Sequence, residues 1–130
     1  MDDAQRKYYD DMFERGRGVL VTNDGKLVSV VTFFVGDNDE RFLTGHTPWT
    51  VIEDDPNGTT VYIDQMLTYK GRATHAFIHR EFSNFLVQLK KKFKNIVKVK
   101  WVRVGAQFRK HEKIEGVTHG RRIHSKDIKF

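Results

Sequence analysis

The sequence predicts one α/β domain in which helices cover a mixed β-sheet. Two observations carry this prediction: a long amphipathic helix flanked by two strand-like segments, and a β-hairpin signal closer to the N-terminus. A strand, a long helix and a second strand in succession are typical of a parallel strand pair with a crossover helix. At 130 residues the chain has room for a single hydrophobic core.

The N-terminal half is predicted to hold a helix and a hairpin. Residues 2–15 form an amphipathic pattern whose candidate buried stripe is Tyr8, Tyr9, Met12 and Phe13. Two apolar segments, residues 19–22 and 27–35, flank Asp24-Gly25, a dipeptide typical of two-residue hairpin turns. The second segment is almost continuous in apolar and β-branched residues, so we expect a strand that is central or covered on both faces.

The next predicted elements are an excursion, a strand and the long helix. Residues 36–58 are polar, acidic and rich in turn formers, and residues 59–68 read as a strand. The long helix is recognised by apolar residues at helical spacing, with Asn95 as its predicted C-cap. Its apolar stripe consists of Ile78, Phe82, Phe85, Leu86, Leu89 and Phe93.

The C-terminal part is predicted to contain a strand at residues 96–104 and a short helix at residues 107–113. Val117 and Ile123 indicate a possible final edge strand within a basic segment. The predicted order is therefore helix, two hairpin strands, excursion, strand, long helix, strand, short helix and tail.

Composition excludes several classes of protein. The absence of cysteine excludes disulfides, thiolate catalysis and cysteine-based metal sites. No apolar run approaches the length of a membrane helix, and the acidic start lacks the features of a signal peptide, so we expect neither a membrane protein nor a secreted one. Charge is divided along the chain, because residues 1–69 carry a net −7 and residues 70–130 a net +13. The basic half can face nucleic acid, a nucleotide cofactor or an acidic protein, or it can simply be solvated.

The order of these elements resembles the GNAT superfamily of N-acetyltransferases. The resemblance rests on the hairpin that starts Gly18-Val19-Leu20-Val21, the strand Val61-Tyr62-Ile63-Asp64-Gln65-Met66, the long helix and the strand Val99-Lys100-Trp101-Val102-Arg103-Val104-Gly105. It covers residues 1–117 as one GNAT-like domain and leaves residues 118–130 as a basic C-terminal tail. The chain is most similar to short GNAT-like proteins of tailed bacteriophages, including internal virion proteins.

The resemblance implies a cofactor loop where the strand enters the long helix. Members of the family place Arg/Gln-x-x-Gly-x-Gly/Ala there, so that backbone N–H groups hold the pyrophosphate of acetyl-CoA. In one register Arg72 leads the motif, and His75 and Phe77 stand where small residues are required; in the other, Gly71-Arg72-Ala73 supplies Gly-x-Ala and Thr68 replaces the leading residue. The candidate cofactor-binding residues are Lys70, Gly71, Arg72, Ala73, Thr74, His75 and Ala76.

The resemblance also implies a general base and a general acid. Asp64 lies in the strand where members often hold a carboxylate base, although a strand-edge carboxylate that faces solvent or pairs with a lysine is the favoured interpretation. The predicted short helix lacks the tyrosine that protonates the leaving thiolate in many members, which leaves His111 as the candidate acid. His75 and His79 have a spacing that can hold zinc, but no third ligand is evident, so no metal site is predicted.

The preferred functional interpretation is a bacteriophage GNAT-like protein with a degenerate acetyl-CoA loop. Such a protein would be a non-catalytic virion or binding component, located in the virion or the host cytoplasm, whose basic helix and tail contact DNA or a viral structural protein. The alternative is an active acetyl-CoA-dependent N-acetyltransferase. No cofactor is certain from the sequence, and acetyl-CoA is expected if the protein is active. The oligomeric state and the role of residues 36–58 stay open.

Overall fold

The computed structural model describes residues 2–104 and 121–128, which form a mixed β-sheet between two layers. The helices are α1 (Asp3–Glu14) and α2 (His75–Lys92), with a single π-helical turn at Glu40–Thr44. The strands are β1 (Gly18–Asn23), β2 (Lys26–Gly36), β3 (Thr60–Thr68), β4 (Lys98–Val104) and β5 (Arg121–Asp127). They lie in the order β1-β2-β3-β4-β5, and β3–β4 is the parallel pair.

This architecture confirms the predicted α/β class and the predicted order of elements as far as α2 and β4. The predicted edge strand is present as β5, which pairs with β4 and brings residues 121–127 of the predicted tail into the sheet. The predicted short helix at residues 107–113 lies outside the described residues. Within residues 2–104 and 121–128, no helix combines the length and apolarity needed to cross a membrane.

Local sequence signals explain the N-terminal elements. Asp2 and Gln5 form a capping box at the start of α1, because each side chain accepts from the backbone N–H of the other residue. The hairpin turns at Asp24 and Gly25, whose φ angles of 51° and 77° are those of a type I′ turn. As predicted, β2 is covered on both faces, since it is buried from Val28 to Gly36.

The core beneath α2 is the larger of the two hydrophobic cores formed by the residues that the structure describes. Its buried members are Val31, Phe33, Val35, Val61, Ile63, Phe85, Leu86, Leu89, Phe93, Ile96 and Val99. The predicted stripe of α2 is confirmed, but the helix ends two residues earlier than predicted. Phe93, not Asn95, is the C-cap, because its ring is buried in this core and its backbone turns extended there. Asn95 instead donates to the carbonyl oxygen of Asn57 at 3.1 Å.

The second core lies on the opposite face of the sheet, under α1 and residues 36–58. Its buried members are Tyr8, Met12, Phe34, Phe42 and Tyr62, and Tyr9, Leu43, Trp49, Val51 and Ile52 pack against it. Residues 36–58, for which the sequence offered no role, thus form half of a layer. We call this segment the acidic excursion.

Two carboxylates attach the acidic excursion to the sheet. Asp54 accepts from the Arg17 guanidinium at 2.8 and 2.9 Å and from the Val35 N–H at 2.8 Å, and the Arg17 and Asp54 side chains are 13% and 11% exposed. Asp39 accepts from Lys100 Nζ at 2.6 Å and from the Tyr62 hydroxyl at 2.8 Å. Charge-assisted bonds of this kind are stronger than neutral ones, so they fix both ends of the segment.

Gly58→Ala is expected to destabilise the fold, because a Cβ on Gly58 would collide with the backbone of Gly36. A backbone contact cannot yield as a flexible side chain can, so the loss of unfolding free energy should be about 3 kcal/mol or more. Gly25→Ala is the control, since Gly25 has a positive φ of 77° in a turn but has open space around it; it should cost about 1 kcal/mol, from backbone strain alone. Urea denaturation measures both, and equal losses would contradict the close packing.

Asp39→Asn is expected to change how stability depends on pH. The hydrogen bond from Lys100 lowers the pKa of Asp39, with burial acting in the opposite sense and the Tyr62 hydroxyl adding to the lowering. The carboxylate therefore stabilises the folded state above the unfolded pKa of about 4, and this contribution is lost as the pH falls through the lowered pKa. The variant should be less stable than the parent at pH 7, by under about 1 kcal/mol because the side chain is half exposed, and equally stable in acid. Urea denaturation at pH 7 and in acid measures both proteins, and a stability difference that persists in acid would contradict this expectation.

Candidate functional site

A cleft opens where the parallel strands part. β3 and β4 pair over four positions, from Thr60 opposite Lys98 to Ile63 opposite Trp101, and then continue without pairing to Thr68 and Val104. The space between their carboxyl-terminal halves and the first turns of α2 is a cleft of about 850 Å³. The cleft is at the junction where the sequence places the cofactor loop.

The wall of this cleft is mainly apolar, with a few polar groups. Its apolar members are Ile63, Met66, Ile78, Phe82, Trp101 and Val102, and its polar members are Asp64, Gln65, Thr68, His75 and His79. The His124 ring is stacked on the Trp101 indole with centroids 5.3 Å apart, which holds this wall in place. An apolar cleft with a few convergent polar groups is the usual form of a small-molecule site.

Asp64 occupies a β-bulge in the wall of the cleft. In the β2–β3 ladder Thr32 is opposite Gln65 and Phe33 is opposite Ile63, so Asp64 is the additional residue. Its side chain is only 8% exposed, and its oxygens accept a bond from the Tyr8 hydroxyl and lie 3.0 Å from His46 Nε2. The expectation of a solvent-facing or lysine-paired carboxylate is therefore wrong, because Tyr8 from α1 and His46 from the acidic excursion enclose it.

The groups around Asp64 form a chain of hydrogen bonds. The Tyr8 oxygen is 2.6 Å from Thr32 Oγ1, which in turn accepts from the Gln65 N–H at 3.1 Å. Burial raises the pKa of Tyr8, and the negative charge of Asp64 raises it further, so the phenol remains a donor at neutral pH. His46 Nδ1 lies 2.9 Å from the Arg41 carbonyl oxygen. We call Tyr8, Asp64 and His46 the proton cluster.

Sequence reasoning placed Asp64 among the candidates but missed its two partners. Tyr8 appeared only as a member of a buried stripe, which is a signal for packing and not for a hydrogen bond. His46 lies in an irregular segment and carries no periodic or motif signal. Contacts across 56 and 18 positions of sequence become visible only when the fold is known.

The loop between β3 and α2 makes contacts that stabilise the hairpin. Arg72 Nη1 donates to the Leu27 carbonyl oxygen at 2.7 Å, and its guanidinium lies 4.4 Å from the centre of the Tyr69 ring. Arg72 therefore points to the hairpin, although the sequence predicted it as a cofactor-binding residue. Gly71 has a φ of 78° and open space around it, as a tight loop requires.

The start of α2 provides anion-attracting groups beside the cleft. Thr74 is the N-cap, and its Oγ1 accepts from the Phe77 N–H at 3.1 Å. The N–H groups of His75 and Ala76 precede the first helical hydrogen bond, which joins Ile78 to Thr74. These amides and the positive end of the helix dipole favour negative charge there, and His75 lines the cleft.

Two further sequence predictions concern His111 and the pair His75 and His79. His111, the candidate general acid, lies outside the described residues. His75 and His79 both line the cleft. Within residues 2–104 and 121–128, no group of three or more His, Cys, Asp or Glu is placed to hold a metal ion.

Comparison with known proteins gives structural but not sequence matches. No family model matches the chain, and no curated protein sequence matches it. The structure is similar to the GNAT-like decarboxylase GphF in complex with isobutyryl-CoA, with a TM-score of 0.58 and 16% identity. That match covers 80% of this chain, which spans only 53% of the decarboxylase.

Two further structures match over nearly the whole chain. One is the C-terminal condensation domain of Ebony in complex with β-alanyl-dopamine, with a TM-score of 0.57, 11% identity, and coverage of 97% of this chain and 79% of that one. The other is the GNAT family N-acetyltransferase YhbS from Escherichia coli in complex with CoA, with a TM-score of 0.51, 16% identity, and coverage of 95% and 68%. Identities this low bear on the fold, and the narrower resemblance to bacteriophage proteins stays a prediction. The chain has a GNAT-like fold, as its sequence indicated.

Proposed function

We propose that the cleft between β3, β4 and α2 binds an acyl-coenzyme A thioester and that the domain transfers the acyl group to an amine. The observation that carries this proposal is the parting of β3 from β4 beside the N-terminus of α2, with Asp64 at the point of divergence. Two of the similar structures hold CoA or isobutyryl-CoA, which supports the same ligand class here.

The residues present suit the two ends of such a ligand differently. The uncharged acyl and pantetheine arm matches the apolar wall formed by Ile63, Ile78 and Trp101. For the phosphates, the N–H groups of His75 and Ala76 and the Lys70 side chain would take the place of a full glycine cradle. The Phe77 N–H already donates to Thr74 Oγ1 and is not available to a phosphate. We therefore expect side chains to contribute more to phosphate binding than in the family pattern.

The chemistry divides between ligand and protein. Acyl-CoA supplies an acyl group activated as a thioester. The apolar wall excludes water from the arm, and the helix start favours the negative charge of the phosphates. Asp64 is the carboxylate of the cleft wall and is the proposed acceptor for the proton that an amine must lose.

Acyl-CoA is expected to raise the melting temperature of the protein, and blocking the cleft should abolish the effect. A ligand at 100 times its Kd stabilises the folded state by about 2.7 kcal/mol. Ile78→Trp fills the cleft and should remove this stabilisation, whereas Val87→Trp, at an exposed position of the same helix, should retain it. Thermal denaturation with acetyl-CoA, CoA and adenosine 3′,5′-bisphosphate makes the comparison, and no response to acetyl-CoA at millimolar concentration would contradict the proposal.

Turnover is measured by release of free CoA thiol in the presence of a panel of primary amines. The chain contains no cysteine, so a thiol reagent reports the product without a background from the protein. Thiol release that requires both acetyl-CoA and an amine supports acyl transfer.

A second candidate function is binding of a polyanion at the carboxyl-terminal end of α2. Lys91, Lys92 and Lys94 are exposed, and no acidic residue occurs from Phe82 to Lys100. Their positions near the negative end of the helix dipole explain them in part, but a lysine surface of this kind also suits the phosphates of DNA. This surface supports the proposed role as a virion or DNA-binding component.

DNA binding through this surface is expected to weaken steeply with salt. Replacing Lys91 and Lys94 by Gln should make the negative slope of log K against log salt shallower by about 2, one for each lost phosphate contact. Replacing Lys7 and Lys26 by Gln in the acidic half is the matched control and should leave the slope unchanged. Fluorescence anisotropy with duplex DNA measures the slopes, and binding that does not respond to salt would contradict this function.

A further inference from the structure

Both contacts of His46 are hydrogen bonds only when the His46–Asp64 pair holds two protons. One lies on Nδ1, and the other lies between Nε2 and the carboxylate. Nδ1 is 2.9 Å from the Arg41 carbonyl oxygen, which can only accept, so Nδ1 carries a proton. Nε2 is 3.0 Å from Asp64 Oδ1, and this contact needs a second proton, on either atom. Without it, a ring lone pair faces a carboxylate lone pair.

Burial strengthens this requirement. The His46 and Asp64 side chains are 9% and 8% exposed. With the second proton the pair is electrically neutral and hydrogen-bonded at both ring nitrogens; without it the pair carries a net negative charge in a site shielded from water. The arrangement therefore favours uptake of the shared proton, which makes the pair without that proton a stronger acceptor than an isolated carboxylate.

The surrounding groups do not compete for this proton. Among the described residues, Tyr8 and Tyr9 from α1 are titratable groups that interact with Asp64, and burial together with the charge of Asp64 raises the pKa of each. Both phenols consequently stay neutral while the pair gains or loses its proton. The Tyr8 hydroxyl holds Asp64 Oδ2 in either state, which leaves Oδ1 as the atom that shares the proton with His46.

His46 is held away from the cleft and acts through Asp64. Its ring is packed edge-on against Phe34, with centroids 5.8 Å apart, and its Nδ1 is hydrogen-bonded to the Arg41 carbonyl oxygen. Asp64, in contrast, lines the cleft at the bulge. His46 is therefore the group next to Asp64 on the side away from the cleft. A proton on Asp64 can be shared with His46 and passes no further on that side, because Nδ1 already carries a proton.

We propose that His46 is a positioning residue that makes the Asp64–His46 pair, and not Asp64 alone, the proton acceptor of acyl transfer. This inference rests on the proposed function. As the amine nitrogen forms its bond to the acyl carbon, the bond from that carbon to sulfur breaks and the thiolate leaves with the electron pair. The step starts from the pair without its shared proton; the proton lost by the amine enters at Asp64, is held between Asp64 Oδ1 and His46 Nε2, and passes to solvent before the next turnover.

The test uses His46→Gln, because a glutamine amide can donate to Asp64 but cannot hold the additional proton. We expect kcat to fall about 100-fold, the range in which a positioned proton acceptor contributes. The KM for acetyl-CoA and the thermal shift with acetyl-CoA should stay unchanged. The midpoint of the acidic limb of kcat against pH should move, since the group that titrates is no longer the same pair.

Two further variants separate this role from packing. Ile52→Ala removes apolar contact between the acidic excursion and the second core without changing a hydrogen-bonding group of the proton cluster, and should lower stability while leaving kcat and the midpoint as in the parent. Tyr8→Phe keeps the buried ring but removes the donor to Oδ2; it should reduce kcat about 10-fold and provides a second readout if His46→Gln does not fold.

Several results would overturn the inference. These are an unchanged kcat and midpoint in His46→Gln, the same changes in Ile52→Ala, or a parent protein that binds acetyl-CoA but releases no thiol with any amine. The last result leaves the ligand-binding part of the proposed function intact. Absence of acetyl-CoA binding overturns the proposed function itself, so the two failures are distinguished by the thermal shift.

Discussion

The parallel hydrogen bonding between β3 and β4 stops after four residue pairs, and the site depends on that stop. The bulge at Asp64 follows immediately, and a bulge bends a strand and increases its twist. One irregularity thus has two effects: it opens the cleft on the α2 side, and it accompanies the enclosure of Asp64 by groups from the α1 side. A β3 that remained paired with β4 to its end would have no space for a ligand between them.

The two layers on the sheet use the divided charge of the chain differently. Carboxylates of the acidic excursion pair with cations outside it: Asp39 with Lys100 of β4, and Asp54 with Arg17, which immediately precedes β1. This is internal compensation, as expected if a charged half is balanced within the fold. The end of α2 is different, because Lys91 and Lys94 are exposed and the neighbouring sequence has no acid to offset them. Charge that is neutralised in one layer stabilises the fold, whereas charge that remains on the other is available to a partner.

The sequence predicted those features that local patterns encode. The stripe of α2 and the Asp24-Gly25 turn depend on neighbouring residues, so periodicity and turn chemistry were sufficient. The end of α2 was misplaced because burial of the Phe93 ring outweighed the capping preference of Asn95. His46 could not be predicted, because its role depends on a one-turn π-helix and on a bulge in a distant strand. The direction of Arg72 depends likewise on the Leu27 carbonyl, which only the folded hairpin brings near.

The backbone contact between Gly36 and Gly58 has a consequence for how such a domain can diversify. The acidic excursion leaves and rejoins the sheet at one place, with the Asp55 N–H bonded to the Val35 carbonyl oxygen at 2.9 Å. A loop whose ends already meet can change in length at little cost in closure entropy. Changes of length within the segment that carries His46 therefore need not move its points of attachment to the sheet, provided that the segment still covers the second core, so this layer can vary in evolution separately from the cleft on the α2 side.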